Sequence, residues 1–137
     1  MMNNTNSRAS LAVRVLLCAV AVSSASCQTD VFRMATTESP DRTILVDWYE
    51  LAGGGGAGWS EDQVRLRPSD ERFRTGSDCV FRAASADRLS IRWKDSRSLE
   101  IAYPHQDSVL KSESRWRNVS ISYREDPALR RHPTAVP

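Results

Sequence analysis

A chain of 137 residues, 40% hydrophobic and 26% charged, has material for one modest globular domain. Its 19 basic and 17 acidic side chains leave a formal charge of +2, without the basic excess that a nucleic-acid partner calls for. Two histidines and three cysteines give no metal-ligand spacing, so no metal or other cofactor is expected.

The first 26 residues read as a signal peptide. Arg8 and Arg14 form the positive flank, Val15 to Val22 the apolar core, and Ser23-Ser24-Ala25-Ser26 the small-residue exit before Cys27. The apolar run falls short of the roughly 20 residues a membrane span needs. Ser24-Ala25-Ser26-Cys27 resembles the lipobox of bacterial lipoproteins, with Ser24 where that family prefers Leu. The resemblance implies cleavage before Cys27 and lipidation of its sulfur. Gln28 is not the Asp that resembles an inner-membrane retention signal, so the outer membrane is the expected destination in a two-membrane cell. The alternative is ordinary secretion after cleavage at Ser24-Ala25-Ser26.

Loss of the leader removes Arg8 and Arg14. The 19 basic side chains become 17, against 17 acidic ones, and the mature chain is near neutral. Cys18 leaves too. A lipidated Cys27 leaves Cys79 as a single thiol, expected to be a small buried hydrophobe. In a secreted form, Cys27 and Cys79 can pair.

Residues 27–41 are polar and read as a lipid-anchored flexible tether. The domain is expected over 42–125. Ile44, Val46 and Trp48 face one way in its first strand, and Leu45, Tyr49 and Leu51 the other. A strand with two apolar sides belongs inside a sheet or between layers. The glycine-rich stretch Gly53 to Gly58 has neither a Gly-Lys-Ser/Thr ending nor a following helix, so it reads as a hairpin loop and not as a phosphate cradle. Trp59 to Arg67 is the next strand, with Val64 and Leu66 inward and Arg65 and Arg67 outward. Turns at Pro68-Ser69-Asp70 and Gly76-Ser77-Asp78 lead into a short strand, Asp78 to Ala83, with Cys79 and Phe81 on one face and Val80 on the other.

The clearest pattern is Leu89 to Tyr103. Leu89, Ile91 and Trp93 alternate with polar residues, as do Leu99, Ile101 and Tyr103, which is a hairpin with one buried face. Pairing Trp93 with Leu99, Ile91 with Ile101 and Leu89 with Tyr103 keeps the apolar set together and leaves Asp95-Ser96-Arg97 as a three-residue loop, or five residues if the end pair opens. Arg92 then sits opposite Glu100. Six large apolar side chains, each worth about 1.5–3 kcal/mol when buried, require a second layer. Asp107 to Lys111 reads as a short edge strand. Trp116 to Tyr123 reads as one final strand with Val119, Ile121 and Tyr123 inward. Residues 126–137 read as a disordered tail.

Short strands at intervals of about ten residues predict an all-β domain, an antiparallel meander forming a sandwich or partly open barrel. The Ile-x-Trp-Lys-Asp-x-x-x-Leu-x-Ile-x-Tyr hairpin at Ile91–Tyr103 and the Val-x-Ile-x-Tyr strand at Val119–Tyr123 resemble those of uncharacterised membrane-anchored bacterial proteins. That group brings no known catalytic residues.

The expected function is that of a non-enzymatic envelope lipoprotein, a structural or protein-interaction module with an envelope protein as partner. Trp59, Arg65, Arg67, Arg92 and Lys94 are its candidate contacts, because Trp and Arg are enriched at binding hot spots. One alternative is a secreted β-domain that binds a small apolar or glycan ligand. Another is a small hydrolase drawing on Asp47, Glu50, His105 and Asp107, for which no serine is singled out as nucleophile.

Overall fold

The computed structural model describes residues 29–55, 58–76, 78–84 and 88–130. The leader, Cys18, Cys27 and residues 131–137 of the expected tail lie outside the described residues. Among the described residues, nine strands form two sheets: β1 (Asp30–Glu38), β2 (Ile44–Gly53), β3 (Trp59–Pro68), β4 (Phe81–Ala84), β5 (Ser90–Asp95), β6 (Ser98–Tyr103), β7 (Val109–Ser112), β8 (Arg115–Trp116) and β9 (Val119–Glu125). Sheet A has the order β1-β2-β3-β4-β7 and sheet B the order β5-β6-β9-β8. The sheets pack as a sandwich and do not close into a barrel.

Strand parity builds the core as expected except before β4, where Asp78 to Val80 are not strand and Val80, not Cys79, joins Phe81 in the core. Ile44, Val46, Val64, Leu66, Phe81 and Ala83 of sheet A meet Leu99, Ile101, Val119 and Ile121 of sheet B, with Leu89 and Tyr103 at the margin. The Phe81 ring lies between Tyr103 and Tyr123, with centroids 5.8 and 5.6 Å away. Trp48, Ile91, Trp93 and Trp116 close the periphery.

The central hairpin keeps the expected register, with Trp93 opposite Leu99, Ile91 opposite Ile101 and Arg92 opposite Glu100. Its turn differs. Asp95 pairs with Ser98, so only Ser96 and Arg97 form the turn, and the odd residue is taken up as a bulge between Trp93 and Asp95. A three-residue loop would place Arg97 in the left-handed region. The bulge avoids that, and the Asp95 side chain accepts the Arg97 N–H at 2.7 Å.

Three expectations are corrected. Asp30–Glu38, expected within the tether, forms β1 and pairs with β2 along its length, with a bulge between Arg33 and Ala35. The meander is not antiparallel throughout. β6 and β9 are parallel, because the chain leaves sheet B after Tyr103, adds β7 to the edge of sheet A, and returns through β8. Trp116 to Tyr123 is not one strand either, since Arg117 and Asn118 turn the chain between β8 and β9. Arg117 has φ 50°, so the turn forms without the glycine that marks such a position in sequence. Beyond β9, Pro127–Leu129 forms one 3-10 turn capped by Asp126, and the Leu129 carbonyl accepts the Arg88 N–H.

Leu99 is fully buried where the two sheets meet. Leu99→Ala is expected to cost about 2–5 kcal/mol, read as a lower urea midpoint at unchanged slope.

Candidate functional site

The five candidate contacts do not share one surface. Arg65 and Arg67 face away from the sandwich core, as their parity requires, yet each is only 6% exposed. The cause is the segment between β3 and β4, which folds back over the outer face of sheet A. Phe73 from that segment meets the Tyr49 ring edge-on at 5.3 Å, and the Arg33 guanidinium lies 5.1 Å over Phe73. Arg65 bonds the Arg74 carbonyl at 2.6 Å and pairs with Glu71 at 2.7 Å and Asp78 at 3.0 Å. Arg67 bonds the Glu71 carbonyl and pairs with Asp47 at 2.5 Å. Both arginines are structural links and not contact residues, because a partner cannot reach them.

Asp47 is the centre of this covered layer. Its carboxylate is fully buried and accepts from Arg67, from Arg33 at 2.8 Å and from the Thr36 hydroxyl at 2.7 Å. Burial pushes the Asp47 carboxyl upward, but these donors outweigh it and hold it below the usual carboxylate range. Beside it, the Tyr49 hydroxyl donates to Gln63 at 2.8 Å, Gln63 donates to Glu61 at 2.6 Å, and Arg82 grips Glu61 at 2.7 and 2.8 Å. Arg82 lowers the Glu61 carboxyl, and burial raises the Tyr49 phenol to about 12, so it stays neutral.

Arg92 and Lys94 lie on the outer face of sheet B, both exposed and both paired with Glu100, at 3.1 and 2.9 Å. Arg124 also approaches Glu100, at 3.8 Å. Trp59 stands apart at one end of sheet A, 47% exposed.

Two recesses were not legible in the sequence. The first, about 380 Å³, opens on the outer face of sheet A between Thr29, Val31, Leu51, Gln63, Cys79 and Arg82. The second, about 340 Å³, lies at the other end of the sandwich and is lined by Thr43, Pro68, Arg97, Trp116, Arg117 and Asn118. Its residues come from four separate stretches of chain. The Arg117 guanidinium lies 4.6 Å over the Trp116 ring, and Arg97 reaches Asn118 at 3.4 Å and Asp41 at 3.9 Å. Asp41 accepts from Ser39 at 2.7 Å and Thr43 at 2.9 Å, and these hydroxyls lower its pKa. The only described non-glycine residues with positive φ, Arg42 (60°) and Arg117 (50°), both sit at this end. Backbone strain of this kind costs of order 1–3 kcal/mol and gathers where a site needs a particular presentation.

The residues of the hydrolase alternative come from two places in the chain, Asp47 and Glu50 on β2 and His105 and Asp107 at the 3-10 turn after β6. Asp47 is held by two arginines, Asp107 is exposed in the 3-10 turn Gln106–Ser108, and the His105 carbonyl accepts the Ser108 hydroxyl at 2.8 Å. Cys79 is 1% exposed and burial pushes its thiol upward, away from a reactive thiolate. Among the described residues, no group of three or more His, Cys, Asp or Glu is placed to hold a metal ion.

Compared with known protein families, curated proteins and solved structures, the chain matches none.

Two measurements check this description. The lowered Asp47 and Glu61 carboxyls contribute stability that is complete above the unfolded-chain values of about 4 and is lost as pH falls through the lower folded values. Asp47→Asn is expected to flatten that acid limb and to cost about 3–5 kcal/mol at neutral pH, because Arg67 keeps its buried charge without a counter-charge. Both Arg117→Gly and Arg117→Ala lose the stack on Trp116, but only glycine relaxes the backbone. The glycine variant is therefore expected to be the more stable by about 1 kcal/mol, measured by thermal unfolding.

Proposed function

We propose that this chain is a non-enzymatic bacterial envelope lipoprotein, a binding module held to a membrane through lipid on Cys27. The leader with its lipobox-like ending supports the anchor. The observation that carries the binding role is the polarity of the sandwich. β1 begins at Asp30, beside Ala52 at the Gly53 end of β2, and the Arg97–Trp116–Arg117–Asn118 recess lies beyond the Ile44 end. Ten residues of β2 separate these ends, a distance of about 30 Å. A membrane attachment at one end thus leaves the recess facing away from the bilayer.

Its chemistry fits a carboxylate-bearing segment of an envelope protein. Two guanidiniums and a side-chain amide supply donors, and the Trp116 ring supplies an apolar wall. A second reading, a secreted β-domain that binds a small ligand, draws support from the recess beside Cys79. Its volume falls in the range of small-molecule sites, and Val31 and Leu51 give it an apolar side.

Intact mass of the protein recovered from bacterial membranes separates the readings. A diacylglyceryl mass on Cys27, absent in Cys27→Ala, is the expected result. An unlipidated chain with Cys27 bonded to Cys79 supports the secreted form instead. A photo-crosslinker at Asn118 is expected to capture one envelope protein, with capture abolished by Arg97→Glu combined with Arg117→Glu and unaffected by a charge reversal at Arg92.

A further inference from the structure

We propose that the end of sheet A next to Cys27 is a membrane-seating face, on which Trp59, Val31 and Phe32 rest in the interfacial layer of a zwitterionic bilayer. The proposal rests on lipidation of Cys27. It goes further by assigning a surface of the folded domain to the lipid.

Among the described residues, apolar exposure is concentrated. The large hydrophobic side chains found exposed are Val31, Phe32, Met34, Trp59 and Leu110, and all but Leu110 lie on β1 or at the start of β3. The pairing brings Val31, Phe32 and Trp59 to one end, with Val31 and Phe32 on opposite sides of β1, while Met34 lies at the bulge opposite the middle of β2. Asp30 stands opposite Ala52, Ala52 opposite Ser60, and Gly53 opposite Trp59, so Trp59 is level with Thr29 and two strands in from the edge. The indole is also held in place. A Cβ built on Gly54 would lie 2.9 Å from the Trp59 ring and one on Gly53 3.3 Å from it, and Gly54 has φ +92°. These two glycines let the ring lie across the strand ends, and Trp59 remains half exposed there. An aromatic ring with one apolar side and one N–H suits the boundary between acyl chains and headgroups.

Covalent geometry identifies the occupant. Cys27 is two residues from Thr29, a span of at most about 7 Å. A lipid on that residue leaves no length for a tether, so whatever surface surrounds Thr29 lies at the bilayer. Asp30 and Glu50 flank the patch, and Arg82, the cation lining the recess beside Val31, is already committed to Glu61, so these residues offer anionic headgroups no cluster of free cations. Zwitterionic lipid is the matching surface. The patch also adds apolar area to the acyl chains, in the way that stable anchoring draws on more than one attachment.

The test uses the mature protein purified from membranes, with the Cys27 lipid verified by mass, in phosphatidylcholine vesicles whose acyl chains carry bromine at defined depths. Emission of Trp59 is obtained by difference against Trp59→Phe, a variant whose fold is checked by circular dichroism. The expected result is quenching and a blue shift of Trp59 with bromine near the headgroups, and no quenching of Trp116 at the far end, read by Trp116→Phe. A lipidated protein whose Trp59 stays unquenched and open to iodide overturns the seating face and leaves the anchor standing. Unquenched Trp59 shielded from iodide in proportion to protein concentration overturns it in favour of a second copy. An unmodified Cys27 overturns both.

Discussion

The Asp47 carboxylate is the group on which the outer half of this protein depends. It lies on the middle of β2 with no access to water, a position that is costly for a charge unless it is answered by hydrogen bonds and counter-charge. The answers come from both sides. Arg67 reaches it from β3, and Arg33 and Thr36 from β1. Arg67 then passes the connection to Glu71, while Arg65 beside it holds Arg74, Glu71 and Asp78. A single buried anion therefore fastens the edge strand to the sheet and draws the β3–β4 segment over it.

This explains why β1 was hidden from a reading of its residues. Asp-Val-Phe-Arg-Met-Ala-Thr-Thr-Glu shows no clean alternation, and most of its side chains stay in water after folding. Its backbone ladder with β2 is reinforced by a carboxylate eleven residues beyond Thr36. The same gap accounts for Arg65 and Arg67. Alternation with Val64 and Leu66 places them on the outer face correctly, but parity does not tell whether a face is covered. The covering segment, which brings Glu71, Phe73 and Arg74 over that face, has no period to read.

Where one face of a strand met the sandwich core, the residues were enough. The Leu89–Tyr103 pattern set the register of its hairpin, because any one-residue slip would have turned the three apolar side chains of one strand to water. The inward sets Ile44, Val46, Trp48 and Val64, Leu66 followed from the same logic. The far recess was beyond such reasoning. Thr43, Pro68, Arg97 and Trp116 are distant in the chain, and the crossover that brings them together depends on β6 and β9 lying parallel, against the default for neighbouring strands.

That crossover has a further consequence. In chain order the strands enter sheet A four times, sheet B twice, sheet A once more through β7, and sheet B twice again. Sheet A stays incomplete until the 109–112 segment arrives, and sheet B stays incomplete until β9 docks against β6. Neither sheet is thus a folding unit by itself. The two halves gain their burial together, and the sandwich is built to lose its structure in one cooperative step, with no stable intermediate in which one sheet survives the other.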